Sequence, residues 1–301
     1  MEHDAVIIEV GINEGISREV HPAIPFSPEE IAADALRCEA AGASVVHWHA
    51  RDPVDGAQRP ADAGLYGDTL GRIHAGGALV GYPTYPTQPA DSLDERLGHC
   101  FTLRADHGLE VAPIDIGSVN VITWDAEHRE FVGAGGTLAG RTVVQNSLDF
   151  TLAALERFDE IGLVPSVASF DIGFTRTMVN LVRAGRLHEP VFFKIFMMGS
   201  WAVGPNPDVA ALDFHLHQIP DDLDIEWVVV PYTVGDPDLI ERLGRRALEL
   251  GGGVRVGIGD NPSAHPGLTN ADLVQQAAGW ARDAGRPIAG GTDVRARFGL
   301  R

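Results

Sequence analysis

The chain has 301 residues, 45% of them hydrophobic and 22% charged, and carries a formal net charge of -19 with a pI near 4.9. That length suits one α/β barrel with decorations as well as two small domains, and the acidity leaves no basic face for a nucleic acid or an anionic membrane. No apolar run approaches the roughly 20 residues of a membrane span, and the opening Met1 to Asp4 holds neither a basic segment nor an apolar core, so a cytoplasmic location is expected.

Residues 5–13 form a β-branched run that reads as a buried strand, followed by a polar loop that begins at Glu14. Ser27-Pro28-Glu29-Glu30 then starts a helix, with Ser27 as cap, Pro28 in the first turn and Glu30 closing a capping box; it runs to Ala41-Gly42. Residues 44–52 make the second strand. Alternation continues with helix 61–75, strand 78–82, helix 92–107 and strand 109–115, and then helix 147–161, strand 164–170, helix 177–184 and strand 191–198. Helix 207–217, strand 225–231, helix 238–250 behind Asp236-Pro237, strand 254–258 and a last helix 270–284 complete the series. Eight strand-then-helix units predict a parallel sheet closed into a (β/α)8 TIM barrel, one domain over 1–301, with an inserted loop or hairpin around 119–144. No G-x-G-x-x-G follows the first strand, which argues against an open dinucleotide-binding sheet. Cys38 and Cys100 fall in helical segments without C-x-x-C spacing and are expected as buried thiols.

In such a barrel chemistry sits just beyond the strand C-termini. His47 and His49 are the strongest signal there, because residues i and i+2 of a strand face the same way and their rings can converge on one divalent metal, whose identity imidazole does not fix. Around them the strand ends supply Asn13, Glu14, Thr84, Ser118, Asn120, Arg255 and Asp260, a polar ring able to hold a small anionic substrate beside an ion. His215 and His217 fall in a helix, where i and i+2 diverge. Lys194 is the chain's only lysine and lies in an apolar strand, where a charge needs a partner. It reads first as paired with a neighbouring-strand carboxylate such as Asp171, and second as the Schiff-base former of a class I type aldolase.

The segments Pro25 to Ile31, Ala41 to Pro53 with its H-x-H-x-R-D core, Gly253 to Asn261, Thr269-Asn270 and Asp293 to Leu300 resemble the β-keto acid cleavage enzyme family, to which the 3-keto-5-aminohexanoate cleavage enzymes belong. The resemblance spans nearly the whole chain. It implies a barrel, a homotetramer, bound zinc, and conversion of a β-keto acid plus acetyl-CoA into acetoacetate and a new CoA thioester. Carried onto this sequence, it makes His47 and His49 zinc ligands and Arg255 with Asp260 the charged pair that handles the proton and the substrate carboxylate. Asn13, Thr84, Ser118 and Asn120 are then the expected substrate contacts. The family's third zinc ligand is a glutamate at the position of Gly259 here, which leaves Glu14, Asp260 or His265 to complete the site. Glu14 is favoured, since the first strand adjoins the second and the eighth in a closed barrel. A barrel that binds a small molecule without chemistry is the remaining alternative.

Overall fold

The computed structural model describes residues 4–87, 92–125, 127–133 and 143–300. Eight parallel strands surround the core: β1 (Ile8–Gly11), β2 (Val45–Trp48), β3 (Val80–Pro83), β4 (Val111–Asp115), β5 (Val164–Ser169), β6 (Val191–Met198), β7 (Ile225–Tyr232) and β8 (Gly253–Val256). Hydrogen bonds join them in the order β3-β2-β1-β8-β7-β6-β5-β4, so the barrel is complete except for a seam between β3 and β4. Side chains stitch that seam at both ends. At the bottom, Arg295 donates to Leu79 O at 3.1 Å and to Glu110 Oε2 at 2.7 Å. At the top, Tyr85 donates its hydroxyl to Asp115 Oδ2 at 2.8 Å, and Asn146 Nδ2 reaches Asp115 O at 2.7 Å.

The outer layer comprises α1 (Pro28–Ala41), α2 (Ala63–Gly76), α3 (Leu93–His107), α4 (Leu148–Ile161), α5 (Ile172–Arg183), α6 (Val209–His217), α7 (Pro237–Glu249) and α8 (Asn270–Asp283), and α9 (Gly291–Phe298) packs against the bottom of the strands. Their starts follow local capping chemistry. Ser27 and Glu30 form the reciprocal box of α1, and Ser92, Ser147 and Asp208 accept backbone N–H groups at the next starts. Two boundaries depart from expectation. Helix α5 begins at Ile172 rather than 177, because Asp171 caps it by accepting from Gly173 N at 3.0 Å; a glycine in the first turn hid that start. A further helix, α9, follows α8. Its Gly290-Gly291 opening reads as a turn, yet Asp293 accepts the Gly290 N–H at 2.8 Å and the segment closes the barrel floor.

Period-two alternation makes the barrel interior two-layered. Ile7, Val45, Val80, Val111, Phe192 and Val228 pack with Val294 and Phe298 of α9 in an apolar lower layer. Glu9, Tyr82, Lys194 and Arg255 lie one step further along their strands, all buried, and form a polar upper layer beneath the mouth. Within the insertion, Val119–Asn120 pairs with Val143–Val144, and Ile122–Asp125 pairs with Glu130–Gly133, both antiparallel. A bridge from Thr123 to Trp201 fastens this arm to the loop after β6. The Gly-rich stretch from 134 onward lies outside the described residues.

Candidate active site

Three strand ends build the site. Gly11 closes β1, and a Cβ there would stand 2.6 Å from Asp260 Oδ2 and 2.7 Å from Arg255 Nη2, so only glycine lets that pair cross the end of the strand. Glu14 follows in a left-handed conformation, φ 39°, with its carbonyl oxygen held by Arg51 Nη1 at 2.7 Å. Asn13 fixes the neighbouring loop: its Oδ1 accepts the His49 N–H at 2.9 Å, and its Nδ2 donates to His49 O and to Pro25 O, each at 3.1 Å. The register of β1 with β2 sets Gly11 opposite His47, which aligns the Glu14 loop with both imidazoles.

Glu14, His47 and His49 each present one ligand atom, and these atoms lie within 4.8 Å of one another. Glu14 Oε2 is 2.6 Å from His49 Nε2, and Oε1 is 3.4 Å from His47 Nε2. The far side of each ring settles its tautomer. His47 Nδ1 faces the carbonyl of Tyr82 at 3.3 Å and His49 Nδ1 faces Gln58 Oε1 at 2.7 Å, so both Nδ1 atoms donate and both Nε2 lone pairs point at a carboxylate that can only accept. Three acceptors meeting in a buried space require a cation, either a proton on each ring or a metal. Burial holds the His47 imidazole well below its usual range, which opposes the proton. Burial also works against an ionised Glu14, but the charges of His49, His47 and Arg255 override it and keep this carboxyl well below its usual range. An ionised carboxylate facing two imidazoles is the donor set of a divalent metal site once the ion takes the place of the Nε2 protons. Gln58→Ala removes the acceptor that orients His49, and is expected to weaken metal affinity about tenfold to a hundredfold in a competition titration; unchanged affinity would show that the Asn13 clamp alone sets the ring.

Beside this triad sits a charged network. Arg255 forks onto Asp260, with Nε to Oδ2 at 2.9 Å and Nη2 to Oδ1 at 2.6 Å, and also donates to Glu14 Oε1 and to Glu9 Oε1 at 3.0 Å. Burial pushes the Asp260 carboxyl up to about 6 against the pull of Arg255. Lys194 does not reach Asp171, which caps α5. It hydrogen-bonds the Tyr82 hydroxyl and stands 3.8 Å from Glu9 Oε1 across the barrel, and burial brings its amine down to about 8. Tyr82 links the layers, since its hydroxyl also bonds Glu9 and its ring stacks on His47 at 4.7 Å. Glu9, Tyr82 and Gln58 were not singled out by sequence. A charge at an inward position of an apolar strand marks Glu9 just as it marks Lys194, whereas Gln58 carries no local signal.

The other strand-end residues are placed differently. The Thr84 carbonyl accepts from His99 Nε2 at 2.8 Å, Ser118 Oγ accepts from Asn146 N at 2.9 Å, and Asn120 is exposed on the inserted arm opposite Val143. His265 is buried with its carbonyl 3.1 Å from His21 Nε2, and it lines a small cavity between α7 and α8. At Gly259 a Cβ would fall 2.8 Å from Asn13 N, 2.9 Å from Gly11 O and 3.0 Å from Glu14 Cγ. With Glu14 in place there is no room for a side chain at 259, so a Gly259→Glu replacement is expected to displace the first-strand loop rather than add a ligand.

The family model for beta-keto acid cleavage enzymes matches residues 5–300. The 3-dehydrocarnitine:acetyl-CoA trimethylamine transferase of Rhizobium meliloti is 26% identical, over 96% of this chain and 94% of that protein. The 3-oxoadipate:acetyl-CoA acetyltransferase of Cupriavidus necator is 27% identical, over 98% and 94%. Among solved structures, the binary complex of ObcA with oxaloacetate superimposes with a TM-score of 0.71 at 18% identity, covering 93% of this chain and 68% of that one, a likeness of fold.

Proposed function

Because the chain belongs to the beta-keto acid cleavage enzyme family, we propose that it is a metal-dependent transferase that exchanges acyl groups between a β-keto acid and acetyl-CoA, giving acetoacetate and a new CoA thioester. The observation that carries this reading is Glu14, whose one carboxylate faces both histidines and the Arg255–Asp260 pair. A metal-ligand set and a proton-handling pair are thereby joined in one buried cluster.

Bound by Glu14, His47 and His49, a zinc ion would polarise the substrate ketone and stabilise the enolate charge. The chain's own groups do the rest. Asp260, its carboxyl raised toward neutral pH, is suited to take a proton from the carbon between ketone and carboxylate, and Arg255 holds it in place while offsetting negative charge. The carbanion attacks the acetyl thioester carbon and CoA thiolate leaves. Thiolate then adds to the original ketone, the carbon–carbon bond breaks, and acetoacetate takes back the proton from Asp260. Tyr82 supports His47 from behind, and Lys194 offsets Glu9 beneath.

The same reading takes the chain as one catalytic barrel domain, assembled as a cytoplasmic homotetramer, with Asn13 positioning His49 and with Thr84, Ser118 and Asn120 bordering the substrate. Sedimentation velocity checks the assembly. Incubating the zinc-loaded protein with acetyl-CoA and a panel of 3-oxo acids should yield acetoacetate and the matching acyl-CoA by mass spectrometry. Glu14→Gln keeps the shape but gives up the charge, and is expected to lower zinc affinity by at least about a hundredfold and turnover with it. Full zinc occupancy in that variant would remove Glu14 from the ligand set.

A further inference from the structure

Next to the triad lies a cavity of about 640 Å³ whose floor is Gly259 and Asp260, whose walls include Ile16, Tyr232 and Leu239, and whose rim carries Val20. It adjoins the ligand set on this side, because Gly259 abuts Glu14 and Asp260 is the carboxylate clamped by Arg255. Among the described residues, no lysine, arginine or histidine lines it. Of its two acids, Asp260 is neutralised by Arg255. Asp236 caps α7 by accepting from Asp238 N at 3.0 Å and lies 3.9 Å from Arg242.

We propose that this cavity receives the substituent on the keto carbon and that the preferred substituent is uncharged and aliphatic, an inference that rests on the reaction proposed above. A second carboxylate would be desolvated against Ile16, Leu239 and the Tyr232 ring, with no cation among the described lining residues to meet it. An ammonium group gains little either, since Asp260 is already paired with Arg255 and Asp236 is a water-exposed carboxylate at the edge of the cavity. A hydrocarbon chain gains from every methylene it places against Ile16, Leu239 and the Tyr232 ring.

The test is a series of straight-chain 3-oxo acids from five to eight carbons, with 3-oxoadipate as the dicarboxylic member, assayed by acetoacetate release from the zinc-loaded enzyme. kcat/KM is expected to rise about threefold to fourfold per methylene and to fall at least about tenfold for the dicarboxylate against its six-carbon aliphatic counterpart. Val20 is 60% exposed and tolerates charge, so Val20→Arg should shift the ratio toward the dicarboxylate by about threefold to fivefold. A flat chain-length series, or a dicarboxylate preference in the parent enzyme, overturns the assignment. So does Leu239→Asp if it raises KM for acetyl-CoA and leaves the keto acid series unchanged, for then the cavity holds the thioester arm. Calorimetric titration with the same 3-oxo acids, without acetyl-CoA, separates the two claims: chain-length-dependent binding without acetoacetate sinks the proposed reaction and not the cavity's preference.

Discussion

Arg255→Ala is expected to lose activity and stability together. The guanidinium is fully buried and touches Glu9, Glu14 and Asp260, so its removal leaves three carboxylates facing one another, with the Lys194 amine 3.8 Å from Glu9. Breaking a buried ion pair on one side costs about 3 to 5 kcal/mol. In a barrel of this size that is about a 5 to 8 °C drop in Tm. The deficit should depend on pH. Asp260 already has a folded-state pKa near 6, above the roughly 3.9 of an unfolded aspartate, so folding favours its protonated form and loses stability as pH rises from about 4 through 6. Without Arg255 the folded pKa moves further up, and the destabilisation should be larger at pH 8 than at pH 5. Differential scanning fluorimetry at the two values reads this directly; a variant with the parent Tm at both would show that Arg255 contributes nothing to stability through these carboxylates.

The second large effect is loss of metal. A His47→Ala, His49→Ala double variant removes both nitrogen donors and leaves Glu14 paired to Arg255, a stable arrangement that should fold. Metal content is expected to fall from about one ion per chain to the background of the buffer, and acetoacetate formation by at least about a hundredfold. Excess zinc should not restore it. If the double variant binds zinc as the parent does, the ion sits elsewhere and the cluster is a hydrogen-bonded histidine pair.

Much of this molecule could be read from the sequence because its signals are local. Ser27, Ser92 and Asp236 announce helix starts, and the paired histidines announce their shared face through the period of a strand. What could not be read depends on distance across the barrel. Lys194 pairs with Glu9, three strands away in the hydrogen-bonded order, and nothing in an apolar run names a partner on the opposite wall. Glu14 has a positive φ with its carbonyl held by Arg51 from the next loop, a contact that no local turn motif announces. The lack of room at Gly259 likewise appears only once the Glu14 loop is folded against it.

The burial of Lys194 also changes how this protein meets reagents. It is the sole side-chain amine in the chain and is 3% exposed, seated in β6 with hydrogen-bonded strands on either side. Succinimidyl esters, aldehydes and acyl phosphates therefore find no lysine on the folded surface, and trypsin sees one cleavable bond that is not at arginine. A single mass increment on the peptide containing Lys194 would then record that the barrel itself had opened, which makes this residue a built-in counter of unfolding events that needs no engineered tag.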